Sequence, residues 1–304
     1  MRIRLTVLAG VSLSLLLLPL RLVAQGAGAE LLASDGAASA LSSDSGLVAA
    51  LGKFLDRDGV LLWPGAPVVV GADEAKRLMK VISARDTMRL TWQPLGVELA
   101  RDSTLGVTWG VAVITPRLAP GAPHLGRYTA AWRRDASQWG ISALLFTGVN
   151  PVATSLAPAI PLSRSPAPAS GRAGHFVAAD LAFARLAGDS GAVIAFRTWA
   201  APDAIVAGGS GVLARGPDAI ASGVAGPAVW RWHPVAAGSS RAGDLGWTVG
   251  EAVIQPKTGE PNYSKYLTVW IRPPGRPIRF LTDGGNARPP AVNPRLAPPS
   301  PSQP

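Results

Sequence analysis

Two stretches of the chain, 29–41 with 47–55 and 177–186 with 192–199, carry apolar residues at the three-to-four spacing of an amphipathic helix. In the later one, Leu181, Ala182 and Leu186, then Val193 and Phe196, follow that period. A short apolar run comes next in each case (67–70 and 204–207) and predicts a strand. A second helix is expected over 73–82 and again over 217–224. Longer segments rich in Trp, Thr, Val and Ile, parted by Gly and Pro, then predict strands over 89–100, 104–115, 124–134 and 138–147. Helices followed by long strands predict an α+β fold, a curved antiparallel sheet with helices packed on one face.

The pattern occurs twice because the chain contains its own copy. Asp35 and Asp44-Ser45-Gly46 recur as Asp180 and Asp189-Ser190-Gly191, and Trp92-Gln93-Pro94 recurs as Trp232-His233-Pro234. Leu105–Gly110 recurs as Leu245–Gly250, and Arg127-Tyr128 with Trp132 recurs as Lys265-Tyr266 with Trp270. The order is kept and the offset shrinks slightly along the chain, as loop deletions would produce. Two homologous domains follow, at 30–150 and 176–286. Residues 151–175, with five prolines among Ala and Ser, read as a linker. Residues 287–304, richer still in proline, read as a disordered tail.

These residues resemble a bacterial branch of the nuclear-transport-factor-two-like superfamily, also called polyketide-cyclase-like, whose members include domains of unknown function. The likeness rests on Asp180, Asp189, Phe196, Trp232, Pro234, Gly243–Gly250, Lys265–Trp270 and Asp283–Asn286. The first copy keeps a degraded version, with Ser103-Thr104 in place of Gly243-Asp244. The resemblance implies two tandem cone-shaped units, each enclosing a pocket and commonly paired into dimers. It implies no particular chemistry, because this superfold carries isomerases, cyclases, dehydratases and non-catalytic binding modules.

Composition narrows the compartment and the chemistry. Arg2 and Arg4 precede an apolar run to Leu20 that is short for a membrane span, so residues 1–24 read as a signal peptide with cleavage after Ala24 or, alternatively, after Ala29. An uncleaved anchor is the other reading. The expectation is an exported protein, periplasmic or secreted, with no stable membrane insertion after cleavage. The net charge is +10, and an excess of seven basic residues remains without Arg2, Arg4 and Arg21. Those charges are scattered rather than clustered with aromatics, which argues against nucleic-acid binding. There is no cysteine, and the three histidines lie far apart, so no metal site and no cofactor is expected.

Gly188-Asp189-Ser190-Gly191 looks superficially like a serine-protease motif, but its twin in the first copy predicts an Asp or Ser cap on the following helix. Strand alternation places Trp247, Val249, Glu251 and Val253 on one face, and Tyr266, Thr268 and Trp270 on one face of the next strand. Leu267, Val269 and Ile271 form an apolar face for a core or a sheet interface. Glu251, His233 and Tyr266 are then the best polar trio for acid–base work, if the protein is an enzyme. Trp232, Trp247, Tyr266, Thr268 and Trp270 are the candidate ligand-binding residues. Asp244 reads as fixing its turn and Asp283 as capping the end of a strand. Three readings stay open: binding of a small apolar molecule without turnover, a pocket enzyme of isomerase, cyclase or dehydratase type, and an interaction module. The domains would pair with each other or in a homodimer.

Overall fold

The computed structural model describes residues 17–85, 88–116, 123–136, 138–148, 173–207 and 213–290. The first unit runs α1 (Leu17–Ser45), α2 (Leu47–Phe54), β1 (Leu55–Leu62), β2 (Val69–Val70), α3 (Ala72–Arg85), β3 (Met88–Leu99), β4 (Leu105–Pro116), β5 (His124–Asp135) and β6 (Gln138–Thr147). The second repeats that order as α4 (Ala173–Ser190), α5 (Ala192–Trp199), β7 (Ala200–Ala207), β8 (Leu213–Arg215), α6 (Pro217–Gly223), β9 (Val229–Ser239), β10 (Leu245–Gln255), β11 (Asn262–Ile271) and β12 (Arg279–Ala287). The α+β architecture of two units, each a curved sheet with helices on one face, is the expected one.

Each sheet has six strands, ordered β2-β1-β6-β5-β4-β3 and β8-β7-β12-β11-β10-β9. Four strands form an antiparallel meander, and the remaining hairpin joins it through one parallel pairing, β1 with β6 and β7 with β12. The sequence pattern does not show β1 or the first half of β7, because Leu55–Leu62 and Ala200–Ala207 follow the helices without a break. The run at 67–70 therefore corresponds to β8 rather than to 204–207. Gly46 and Gly191, at φ 86° and 87°, cap α2 and α5 with no side-chain hydrogen bond. The expected Asp or Ser cap is thus corrected: a left-handed turn selects glycine, and the Asp-Ser pair ends the preceding helix.

One face of each sheet packs on its own helices, with Trp132, Phe146 and Leu31 in one core and Phe183, Trp270 and Phe280 in the other. The opposite faces pack on each other. Val60, Leu62, Val107, Ala131 and Leu145 of the first unit share one buried cluster with Leu245, Trp247, Val249, Leu267 and Val269 of the second. Burying a Leu or Val side chain contributes roughly 1.5–3 kcal/mol, so this contact is a third core.

Residues 1–16, 151–172 and 291–304, which hold most of the signal, linker and tail expectations, lie outside the described residues. At the edges of those expectations, α4 already begins at Ala173. Ala287 closes β12 and Arg288 is buried, so neither of these two belongs to a tail. Among the described residues no helix is long and apolar enough to cross a membrane.

Candidate functional site

In the second unit, the helices and the sheet face they cover enclose a cavity of ≈ 680 Å³. Its apolar wall comes from Phe183 on α4, Phe196 on α5, Val206 on β7, Ile220 on α6, and Trp230 and Trp232 on β9. β10 and β11 add Ala252, Ile254, Tyr263, Ser264, Tyr266 and Thr268, and β12 supplies Asp283 through Ala287. Register explains the selection: Trp232, Ala252, Ser264 and Ala287 pair across the four strands, as do Gly250, Tyr266 and Gly285, so all share one face.

Behind the wall, Asp180 of α4 is fully buried. Its Oδ1 accepts from Trp232 Nε1 at 2.8 Å and its Oδ2 from Tyr266 Oη at 2.9 Å. Burial pushes its carboxyl up to about 6 against the pull of hydrogen bonds from Thr248, Tyr266 and Trp232, and pushes the Tyr266 phenol well above its ordinary range. Gly250 permits the reach: a Cβ there would lie 2.2 Å from Tyr266 Oη. Trp270 Nε1 donates to Thr248 Oγ1 at 2.8 Å and completes the set.

The first unit holds the same constellation. Asp35 accepts from Trp92 Nε1 at 2.6 Å and from the Tyr128 hydroxyl, and Trp132 Nε1 donates to Thr108 at 2.9 Å. There the space over the sheet is filled. Phe146 pairs with Tyr128 as Gly285 does with Tyr266, and Leu144 pairs with Ala130 as Asp283 does with Thr268. Phe146 is fully buried between the rings of Trp63 and Trp92, at 5.6 and 5.8 Å. Among the described residues a hollow of ≈ 230 Å³ lies by residues 44–47, Trp63, Met79, Met88 and Leu90. A network kept where the described residues line a hollow about a third the size is a tether between helix and sheet before it is anything else.

What belongs to the second unit alone is Asp283. It retains some surface on the cavity yet sits deep among protein atoms. Burial pushes it up to about 7, against a hydrogen bond from Thr268 Oγ1 and with the Asp180 charge adding to the rise. A carboxyl of that kind on an apolar cavity can hold or move a proton near neutral pH.

The sequence-predicted residues divide between the faces. Tyr266, Thr268 and Trp232 line the cavity, whereas Trp270 lies in the core beneath it. Trp247 is in the contact between the units, its indole over Gly238. Glu251 pairs with His233 on one side and Lys265 on the other, on the face that carries Val249 and Leu267. The trio is therefore split: Tyr266 looks into the cavity, and Glu251 and His233 look away from it. Alternation within a strand fixes which residues share a face, but not which face matches the neighbour's, and here Val249 lies opposite Leu267.

Glu251 belongs to a buried polar seam. Arg288 approaches it at 3.5 Å, and Lys265 Nζ donates to Asn286 Oδ1 and, at 2.9 Å, to Ala287 O. Burial, then the neighbouring Arg288, holds the Lys265 ammonium well below its ordinary range. Asn286 Nδ2 donates to Leu62 O at 2.9 Å and Phe146 O at 2.7 Å, which ties the units together. Among the described residues no group of three or more His, Asp or Glu is placed to hold a metal ion.

No protein-family model matches the sequence, and no curated protein matches it. Solved structures similar to it include a ketosteroid isomerase-like protein from Erwinia carotovora atroseptica, 12% identical, covering 39% of this chain and 98% of that one with a TM-score of 0.34. A putative dehydratase from the NTF2-like family of Streptomyces avermitilis is 14% identical over 40% and 95%, TM-score 0.35. An NTF2-like protein with a cystatin-like fold from Novosphingobium aromaticivorans is 17% identical over 38% and 80%, TM-score 0.32. Each likeness spans about one unit's length of this chain and concerns the fold alone.

Proposed function

We propose that the second unit binds a small, mostly apolar molecule in its cavity, without turnover, and that the first unit is its structural partner. One observation carries this reading: the same fold built twice in one chain is filled by Phe146 and Leu144 in one copy and left hollow over Gly285 and Asp283 in the other. Cavities of this size with aromatic walls and few polar groups suit small ligands. Export is proposed on the sequence of residues 1–24. Titration with a neutral apolar dye, read by tryptophan quenching, is expected to show one site that Ala252→Phe removes by placing a ring in the cavity. No saturable binding, or binding indifferent to Ala252→Phe, would overturn the reading.

A second reading, proton transfer in an isomerase, cyclase or dehydratase, is favoured by Asp283 standing beside Tyr266 with a carboxyl near 7. Its role would replace the one expected of Glu251 and His233. Turnover of any bound molecule would then be lost in Asp283→Asn and kept in Glu251→Gln and His233→Ala.

A further inference from the structure

The charges around the cavity are unbalanced, and the imbalance points to the occupant. Among the described lining residues there is no Lys, Arg or His, and Asp283 is the acid. The lining residues of α5, α6, β7 and β8 (Phe196, Ile220, Gly223, Val206, Ala214) bring no titratable group. β11 brings Tyr263 and Tyr266, and the charge that reaches Asp283 from α4 is that of Asp180, of like sign. The nearby cations, Lys265 and Arg288, already have partners in the protein: Lys265 donates to Asn286 and the Ala287 carbonyl, and Arg288 donates to the Ser264 and Pro289 carbonyls, approaches Glu251 and lies over the Tyr263 ring. Thr268 donates to Oδ1 of Asp283, which leaves Oδ2 for a ligand.

Resting on the binding function above, we propose that the occupant is a cationic amphiphile, an apolar body carrying a protonated amine that seats against Asp283. Three features converge on this chemistry. An ammonium supplies the positive charge that Asp283, with Asp180 of like sign behind it, lacks, and attraction between charges is stronger among protein atoms than in bulk water. Trp230, Trp232 and Tyr266 bring aromatic rings to the lining, and an aromatic ring favours an ammonium over a neutral group. The acid is also confined to the hollow copy, since its counterpart in the filled copy is Leu144. An anionic ligand would meet an acid and no partner. The chain's excess of basic residues lies outside the cavity, where salt screens it beyond about 8 Å.

The test compares N,N-dimethyldecylamine with its neutral and anionic counterparts, 1-decanol and decanoate, by calorimetric titration of the full chain at about pH 8 and about pH 5.5, either side of the Asp283 transition. The amine, charged at both values, is expected to bind about tenfold more tightly than the alcohol at the higher pH. That advantage should shrink at the lower pH, where Asp283 keeps its proton. Decanoate should bind least. Asp283→Asn, checked by circular dichroism for an intact fold, should bring the amine down to the alcohol's affinity at both pH values. Should Asp283→Asn fail to fold, the parent chain carries the test through the fall of the amine's advantage between the two pH values, and an advantage equal at both would overturn the proposal. An alcohol that matches the amine, a tighter decanoate, or a preference unmoved by Asp283→Asn would overturn the amine while leaving the cavity's binding role standing. Failure of all three compounds where the neutral dye still binds would do the same. Failure of the dye as well would remove the binding role itself.

Discussion

The two halves of this chain are one fold with two interiors. Both tether the first helix to the sheet through Asp, Trp and Tyr, and both bury Trp against Thr beneath it. They differ where β6 and β12 face the helices. Leu144 and Phe146 close the first interior, and Asp283 and Gly285 leave the second open. What is common to the copies is what the fold requires, and what differs is what function can have used. An internal repeat thus serves as its own control: Asp180 and Tyr266, for all their catalytic look, have twins in a copy whose described residues line a much smaller hollow.

The largest expected effect comes from opening the closed interior. Phe146→Ala removes a fully buried ring packed on Trp63 and Trp92 and should cost about 3–4 kcal/mol in urea unfolding. It should also add a second dye site. A loss under about 1 kcal/mol would mean that the ring is not what fills the first unit. Next come the tethers. Asp35→Ala and Asp180→Ala each strand an indole N–H and a phenol in the interior, at about 2–3 kcal/mol apiece. Near-equal losses sustain a structural role. A large loss at Asp35 with none at Asp180 would return Asp180 to the list of functional groups.

Much of this comparison was legible in the sequence. The repeat, the helices, the four long strands of each meander and the apolar face of Leu267 and Val269 follow from periodicity and self-similarity. The contrast between Leu144-Leu145-Phe146 and Asp283-Gly284-Gly285 is also in plain view, but the sequence alone reads Asp283 as a strand cap. Its meaning needs the pairing to Thr268 and Tyr266, which is tertiary. Glu251 was misplaced for a related reason. The face shared by Trp247, Val249 and Glu251 is apolar enough to suit either a pocket or an interface, and only the register with β11 decides between them. Asp180, visible as a repeated residue, gave no sign that a helix would deliver it beneath a tyrosine on β11, 86 positions later.

The open interior should also show itself through pH. Asp283 and Asp180 have folded-state values of about 7 and about 6, raised above the ordinary 3.8. Between those limits these two carboxyls hold more protons in the folded chain than in the unfolded one, so their contribution to stability is fullest below about pH 4 and falls as pH rises toward 7. Asp283→Leu, which gives β12 the residue of the filled copy, should remove its share of that fall. The gain should be on the order of 2 kcal/mol above pH 7. Chemical unfolding at about pH 4.5 and about pH 8 measures it. Equal pH dependence in the variant and the parent would show that Asp283 is ionised without cost and that the cavity is wetter than its walls suggest.

The smallest effect tests how alike the copies remain where they meet. The β3–β4 and β9–β10 turns dock on each other reciprocally: Arg101 N donates to Asp244 Oδ2 at 3.0 Å, and at the equivalent place Arg241 N donates to Thr104 Oγ1 at 2.9 Å. This is the contact a two-fold dimer would make, drawn within one chain. Both turns need a left-handed residue. The second uses Gly243 at φ 71°, whereas the first forces Ser103 to φ 54°. Relieving that strain by Ser103→Gly should raise stability by about 0.5 kcal/mol, because glycine adopts the conformation freely and only its greater unfolded-state freedom opposes the gain. Gly243→Ala should lower it by about 1 kcal/mol for the converse reason. Thermal unfolding of the two variants side by side would show opposite shifts if both turns are held in one geometry by their mutual contact. A loss from Ser103→Gly would mean that the buried serine, rather than the backbone angle, is what the first turn has come to rely on.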